Sequence, residues 1–579
     1  MRKNLVFSLV LLAVVAISFG VTTGQSAASS LGMVAAANPY AAEVGAQILE
    51  MGGNAVDAAI AVSFALGVVE PYASGLGGEG YAVITMSNGE KYAVDFKSVA
   101  PGLATYDKLT EDGYRISTAN YTPKGTCVPG VVAGIQKIYD LGATLPLETL
   151  MEPAIKLARE GFVVNETFAQ TLSDGYEKLL GNGFDFLNEG LAWEEGQVHK
   201  NEALAQTLES LAKNGLDDFY TGELADRIDA FMQENEGYLR KSDLENYRAL
   251  AMEPLHGTYR GYDVIVPHAP VSGPQLLAIL NVLEHFNLSA MGWDDPLAVH
   301  IIQQVLVLED VDRRSFISDP AFYDLPTEGF ASKEYAKTRF MKIDLTQAID
   351  PDTYFDHVGN PYPFEEGATY EQVMLQEVAQ QSLVQEDLYE SPSTTHFSVV
   401  DRYGNAVAWT QTLSSFWGTS VYMDGFFFNN EMGNYASSYR DWDIINLTPG
   451  MKPRTTICPT IIQKDGEVRW VLGTPGGGRI ISTITQLIVD LVDFGMPLDQ
   501  AVKAPKFVGY SSYKDLRMEA GFPEDTVAFL QDVLGHDVNM YGYPDLFFGG
   551  PNIIAVEEDG MIIGAGSIRR NGAASAPEK

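Results

Sequence analysis

Cysteine is nearly absent from this chain: Cys127 and Cys458 are its only two in 579 residues. Two buried free thiols are the expectation, with one disulfide as the open alternative in an exported protein. Neither has an adjacent His or Asp that would make it a catalytic thiol. Basic residues are scarce too, 38 against 76 acidic ones, for a net charge of −38. That excludes nucleic acid and anionic membranes as partners and suits a protein kept soluble in a salty or extracytoplasmic medium. The eight histidines form no i,i+4 pair and no cluster, so neither a metal site nor a cofactor is expected. Internal repeats and domain-splitting linkers are also missing. At roughly 150 residues per domain several domains would be the prior, but one large αβ body fits better. The only marked polar interruption is Gln376–Ser393. Long apolar runs are lacking as well: Arg2 and Lys3 precede Leu5–Phe19, which falls short of the ~20 residues a membrane span needs. This is the pattern of an export signal over about 1–28, which points to a periplasmic or extracellular protein.

What is present begins directly behind the polar interruption. Thr394-Thr395-His396-Phe397-Ser398 opens a strand, Asp401–Asn405 reads as a turn, and Ala406–Leu413 returns. If Val400 pairs with Ala406, the same register sets Thr394 opposite Thr412, within hydroxyl reach. Cutting the Ser393–Thr394 bond would leave an α-amine beside the Thr394 hydroxyl. With a pKa of about 8, that amine can act as general base at neutral pH. The same residues also suit an ordinary β-hairpin, in which threonines are common.

Along the chain, Pro39–Met51 reads as a helix, and Asn54 caps a second one running to about Leu66. Tyr81–Met86 and Lys91–Phe96 form a hairpin around Asn88-Gly89. The stretch from about 130 to 390 patterns as mostly helical, and strands return after Thr394. Layers of strand and helix predict an α+β sandwich. The run Gly75-Leu76-Gly77-Gly78-Glu79-Gly80 is no dinucleotide loop, because a helix precedes it and a strand follows. It reads as a tight turn near a core or site. Gly473-Thr474-Pro475-Gly476-Gly477-Gly478-Arg479 lies between a strand and the helix Ile480–Phe494, where backbone N–H groups could hold an oxyanion. His396 reads equally as a partner of the site or as a satisfied core residue.

Together these pieces resemble the γ-glutamyltranspeptidase family of N-terminal-nucleophile hydrolases. The likeness runs through Gly52–Ala59, Glu70-Pro71, Ser74–Gly78, Thr394–Ser398, Thr410–Leu413, Phe416-Trp417-Gly418, Asn429–Met432, Arg454–Pro459 and Pro475–Gly477. It implies a four-layer αββα sandwich, self-cleaved between Ser393 and Thr394. The products would be a large subunit (29–393) and a small one (394–579) that stay associated. It further implies Thr394 as nucleophile, Thr412 as its hydrogen-bonded helper and the N–H groups of Gly476 and Gly477 as the oxyanion hole. Thr455 and Thr456 stand where the family has two serines near the substrate carboxylate, and Glu431 matches a residue that holds the substrate amine.

Three departures fall together. Lys97 replaces an arginine that grips the glutamyl carboxylate, keeping the charge without the bidentate fork. Ser414 replaces an asparagine at the same end, and Asn434 replaces an aspartate that pairs with the ammonium. The segment from Tyr435 to Lys452 is also shorter than in lid-bearing members. The implied activity is cleavage of glutathione-like γ-glutamyl amides through a γ-glutamyl-Thr394 ester, resolved by water or by an amino acid or peptide. The alternative is an acylase for glutaryl-type or poly-γ-glutamyl amides, and a non-processing binding protein ranks last. With Asn434 unable to neutralise an ammonium, a glutaryl group should lose less here than in a relative with aspartate at that position.

Overall fold

In the computed structural model, residues 21–374 and 393–578 are described. Residues 1–20 and 375–392, which hold the apolar leader run and nearly all of the polar interruption, lie outside them. Two antiparallel sheets face each other. The first has eight strands, in the order Val21–Gly24, Ala573–Pro577, Gly32–Ala36, Thr395–Asp401, Ala406–Thr412, Glu79–Thr85, Lys91–Phe96 and Leu250–Met252. The second has seven: Ser26–Ser29, Ile562–Gly566, Asn552–Val556, Glu467–Leu472, Thr460–Lys464, Tyr262–Val266 and Leu255–Tyr259. The hairpin of Thr395–Asp401 and Ala406–Thr412 therefore lies at the centre of the first sheet, where neighbouring strands fix both of its edges.

Side-chain alternation distributes three cores. Phe397, Val399, Val407 and Trp409 turn outward onto the helices Pro39–Glu50 and Ala55–Val69. The second helix is largely apolar and buried at every residue but Gly67, and its start is fixed by the Asn54–Asp57 capping box. Val400, Ala406 and Ala408 turn inward and meet Ile461, Val471 and Ile554 of the second sheet. That sheet's outer face packs on the helices Gly273–Leu283, Pro296–Phe316 and Ile480–Val492. Helix, sheet, sheet and helix make the four layers expected.

The differences from the sequence reading are local. The middle stretch, expected to be mostly helical, also supplies Leu250–Met252, Leu255–Tyr259 and Tyr262–Val266. The latter two turn through Arg260 and Gly261 at positive φ, a tight hairpin whose turn signal is a single glycine. The expected leader boundary near 28 falls inside the strand Ser26–Ser29, which pairs with Ile562–Gly566. The strand before it, Val21–Gly24, pairs with Ala573–Pro577. The sheets thus use the chain from Val21 onward. Cys127 and Cys458 are buried, unlinked thiols in separate cores. Burial pushes Cys458 up to about 12 and holds Cys127 well above the ordinary thiol range.

Candidate active site

Val400 pairs with Ala406 and Thr395 with Gln411, the register that carries Thr394 opposite Thr412. The Thr394 hydroxyl donates to the Thr412 hydroxyl at 3.0 Å. The Thr412 Oγ1 also accepts the Ser414 N–H at 2.8 Å. Thr394 sits just outside the strand, buried, with φ at +105°. A β-branched residue there is strained and persists only because its surroundings over-determine it. Its carbonyl accepts from the Arg570 guanidinium, which also meets Glu70 at 3.4 Å. Arg570 lies over the rings of Tyr72 and Phe416, and the Tyr72 hydroxyl donates to Glu70 at 2.8 Å. Ser393 is fully buried immediately upstream.

His396 is a core residue. Its ring meets the Thr410 hydroxyl at 2.9 Å and the Ser398 hydroxyl at 3.1 Å, and burial drives its pKa down to about 3. The neutral ring faces the second sheet, where any side chain at Gly473 would collide with it. The Ser398 hydroxyl donates to the Val471 carbonyl at 3.1 Å. Two steps along each strand, in opposite senses, lead from 398 and 471 to 396 and 473. The same progression carries the glycine loop toward the Thr394 end.

In that loop Gly476 and Gly477 have φ of +143° and +55°, conformations open to glycine and strained for a β-branched residue. Thr456 anchors the loop by donating its hydroxyl to the Gly477 carbonyl at 2.8 Å. Thr455 is half-buried beside it, its own N–H held by the Pro270 carbonyl at 3.2 Å.

Of the residues expected at the acyl end, Lys97, Ser414, Glu431 and Asn434 meet one another. Glu431 accepts from the Lys97 ammonium at 2.6 Å and from the Asn434 amide at 2.8 Å. The Asn434 amide also donates to the Ser414 hydroxyl at 3.3 Å. Sequence reasoning left out a second carboxylate. Glu79 opens the strand opposite Thr412 and ion-pairs with Lys97. It also accepts the Ser98 N–H and hydroxyl at 2.9 and 2.6 Å. Burial and the neighbouring Glu431 charge push Glu79 up to about 8, against the pull of Lys97. Burial works against the Lys97 charge, but the two carboxylates outweigh it and hold the ammonium above its ordinary range. Glu79 stood in view inside the glycine run, whose function is now plain. A Cβ on Gly77 or Gly78 would strike the backbone of Phe427 or Thr412, so these glycines let the chain pass between two strands to deliver Glu79. Arg570 had no local signal, since its partners lie hundreds of residues away.

Two facing antiparallel sheets enclosed by helices, with a buried threonine at the end of a central strand, define the N-terminal-nucleophile hydrolase fold. A family model described as Gamma-glutamyltranspeptidase matches residues 41–577, and the chain belongs to that family of enzymes. It is 35% identical over 559 residues to the glutathione hydrolase proenzyme of Escherichia coli (strain K12), covering 93% of this chain and 90% of that one. It is 32% identical over 562 residues to the acylase ACY 1 proenzyme of Pseudomonas sp. (strain SE83), covering 95% and 94%. A crystal structure of cephalosporin acylase from Bacillus halodurans superposes with a TM-score of 0.82 at 26% identity, covering 96% of this chain and 97% of that one.

Proposed function

We propose that this chain is an exported precursor that activates itself by cutting the Ser393–Thr394 bond and then works as an amidase of γ-glutamyl-type substrates. The observation that carries the reading is the 3.0 Å hydroxyl pair Thr394–Thr412 on a buried, strained residue just behind the polar segment. In processing, the Thr394 hydroxyl oxygen attacks the Ser393 carbonyl carbon. The C–N bond breaks, the nitrogen takes the proton, and water hydrolyses the resulting ester to a Ser393 carboxylate and a free Thr394. The subunits 29–393 and 394–579, or 21–393 if export cleavage spares the first two strands, stay together because the sheets interleave both. In turnover the Thr394 amine takes the hydroxyl proton, and the oxygen attacks the substrate amide. The N–H groups of Gly476 and Gly477 receive the oxyanion, and the amine leaves with the proton. Water or an acceptor amine then resolves the acyl-Thr394 ester. Lys97, Ser414, Glu431, Asn434, Thr455 and Thr456 surround the acyl group.

A second reading keeps this chemistry on a different acyl chain, glutaryl-type or poly-γ-glutamyl. It is supported by the acylase proenzymes among the relatives and by Asn434 at the acyl end. For both readings the test is Thr394→Ala. Wild type should run as two bands on denaturing electrophoresis, the smaller beginning at Thr394. The alanine variant should run as one band with no anilide turnover. An alanine variant that still splits at this bond, or still turns over, contradicts the assignment.

A further inference from the structure

We propose that Arg570 is a positioning residue that also tunes the general base: seated on the Thr394 carbonyl, its charge keeps the Thr394 α-amine free of its proton at neutral pH, and Glu70 sets how far. The inference rests on the amidase reading above and adds what adjusts its base.

Segments far apart in the chain meet behind the nucleophile. Glu70 closes the helix Ala55–Val69, and Tyr72 follows it. Arg570 lies in the turn ahead of the strand Ala573–Pro577. Its stem runs past Gly550, where a Cβ would strike it, and its guanidinium lies over the rings of Tyr72 and Phe416. Nη1 donates to the Thr394 carbonyl, and Nη2 meets Glu70 at 3.4 Å. Glu70, Tyr72, Thr394 and Arg570 are all buried.

Arg570 thus grips the carbonyl on the far side of Thr394 from the scissile bond, and its charge acts on whatever stands at the Thr394 nitrogen. In the precursor that nitrogen is a neutral amide. After processing it is an amine, and nitrogen and carbonyl oxygen flank one Cα, so the guanidinium stands about 5 Å from it. Glu70, one ion pair further back, stands about 8 Å away. A cation disfavours the protonated amine, and the more distant anion offsets only part of that. At an effective dielectric of about 20, the difference brings the amine about one pH unit below its usual value of about 8. The free base at neutral pH is then about fivefold more abundant.

The other titratable groups nearby are held elsewhere or are neutral. Glu79, Lys97 and Glu431 form their own cluster beyond Thr412 and Ser414. Arg479, at the end of the glycine loop, donates to the Phe547 carbonyl at 3.0 Å. His396 is neutral in the core. Tyr72 stays a neutral donor to Glu70, because burial and the Glu70 charge hold its hydroxyl well above the ordinary phenol range.

The test is kcat/KM of the processed enzyme on γ-glutamyl para-nitroanilide across about pH 5 to 9, which reports the free enzyme's base. Wild type should lose activity toward acid with a midpoint at about pH 7. Glu70→Gln keeps an acceptor for Tyr72 but removes the countercharge, so the midpoint should fall by about one pH unit or more. Glu70→Gln combined with Arg570→Gln removes both charges and should return it to about 8. A merely structural pair would lower the rate and leave the midpoint where it was. The wild-type midpoint needs no variant to fold. A wild-type midpoint at the ordinary amine value, or one unmoved in folded Glu70→Gln, overturns the tuning and leaves the amidase standing. An acid limb that vanishes in Glu79→Gln belongs to that carboxylate and overturns it equally. Absence of turnover, or turnover that survives Thr394→Ala, overturns the amidase reading and this proposal with it.

Discussion

At Thr394 the site is made of hydroxyls and backbone, whereas four side chains away, at Lys97, it is made of full charges. The hydroxyl end holds neutral groups that can trade donor and acceptor roles as a proton moves, and its precision comes from strand register. The ionic end holds an ammonium between two carboxylates with almost no exposure. Such a cluster cannot rearrange without leaving a charge unpaired, so it suits discrimination and serves poorly for chemistry. The two ends should therefore fail differently when damaged. Loss at the ionic end should appear as stability and substrate ranking, and loss at the hydroxyl end as rate.

The largest effect should follow Lys97→Met, which leaves Glu79 and Glu431 facing each other. Breaking a buried pair in this way costs about 3–5 kcal/mol, readable as a fall in thermal midpoint. Glu79, already raised by burial and the Glu431 charge, would lose the opposing pull of Lys97 and sit further above its unfolded value. Stability is complete below about pH 4.5 and lost as pH rises through the folded value, so the deficit against wild type should widen toward pH 8. A small deficit independent of pH would mean that the cluster stores no such charge. Gly477→Val comes next. Forcing a β-branched residue to φ +55° should swing the N–H away from the oxyanion and lower kcat by roughly 10²–10³, with the acyl ranking unchanged. A well-folded variant with normal kcat would remove Gly477 from the hydroxyl end's machinery.

The same contrast explains what could be read from the sequence. The hydroxyl end lies in one hairpin, so strand alternation and a five-residue turn placed Thr394 against Thr412 before any coordinates. The loop Gly473–Arg479 was legible for a similar reason, sitting between a strand and a helix, while Gly476 and Gly477 within it were singled out by the resemblance. At the ionic end Lys97, Glu431, Asn434 and Ser414 came only through family resemblance, because three separate chain segments meet there and no local period connects them. Glu79 was hidden by its setting, where the flanking glycines drew attention as a turn. The resemblance set Lys97 beside a substrate carboxylate, and in the structure that lysine also meets two of the protein's own, Glu79 and Glu431. The hairpin Leu255–Tyr259 with Tyr262–Val266 was missed in turn because a single glycine marks it, although tertiary pairing with Thr460–Lys464 secures it.

The smallest effect, and the sharpest separation of the two ends, should come from Thr412→Val. Valine matches threonine in shape, so the hairpin register and the inward packing should survive, but two hydrogen bonds go. The Thr394 hydroxyl loses its 3.0 Å acceptor, and the Ser414 N–H loses its 2.8 Å acceptor. A neutral hydrogen bond of this kind is worth about 0.5–1.5 kcal/mol, so kcat should fall up to about tenfold. Thr412→Ser, which keeps the oxygen, should recover most of that loss. KM and the ranking of γ-glutamyl against glutaryl anilides should hardly move, because Glu79, Lys97 and Glu431 remain in place. Ser414 is the one residue that belongs to both ends. Its positive φ of +77° is kept by the Thr412 acceptor on one side and the Asn434 contact on the other. If Thr412→Val alters the acyl ranking as much as the rate, Ser414 transmits the change, and the two ends form a single unit whose charge and hydroxyl parts cannot be varied independently.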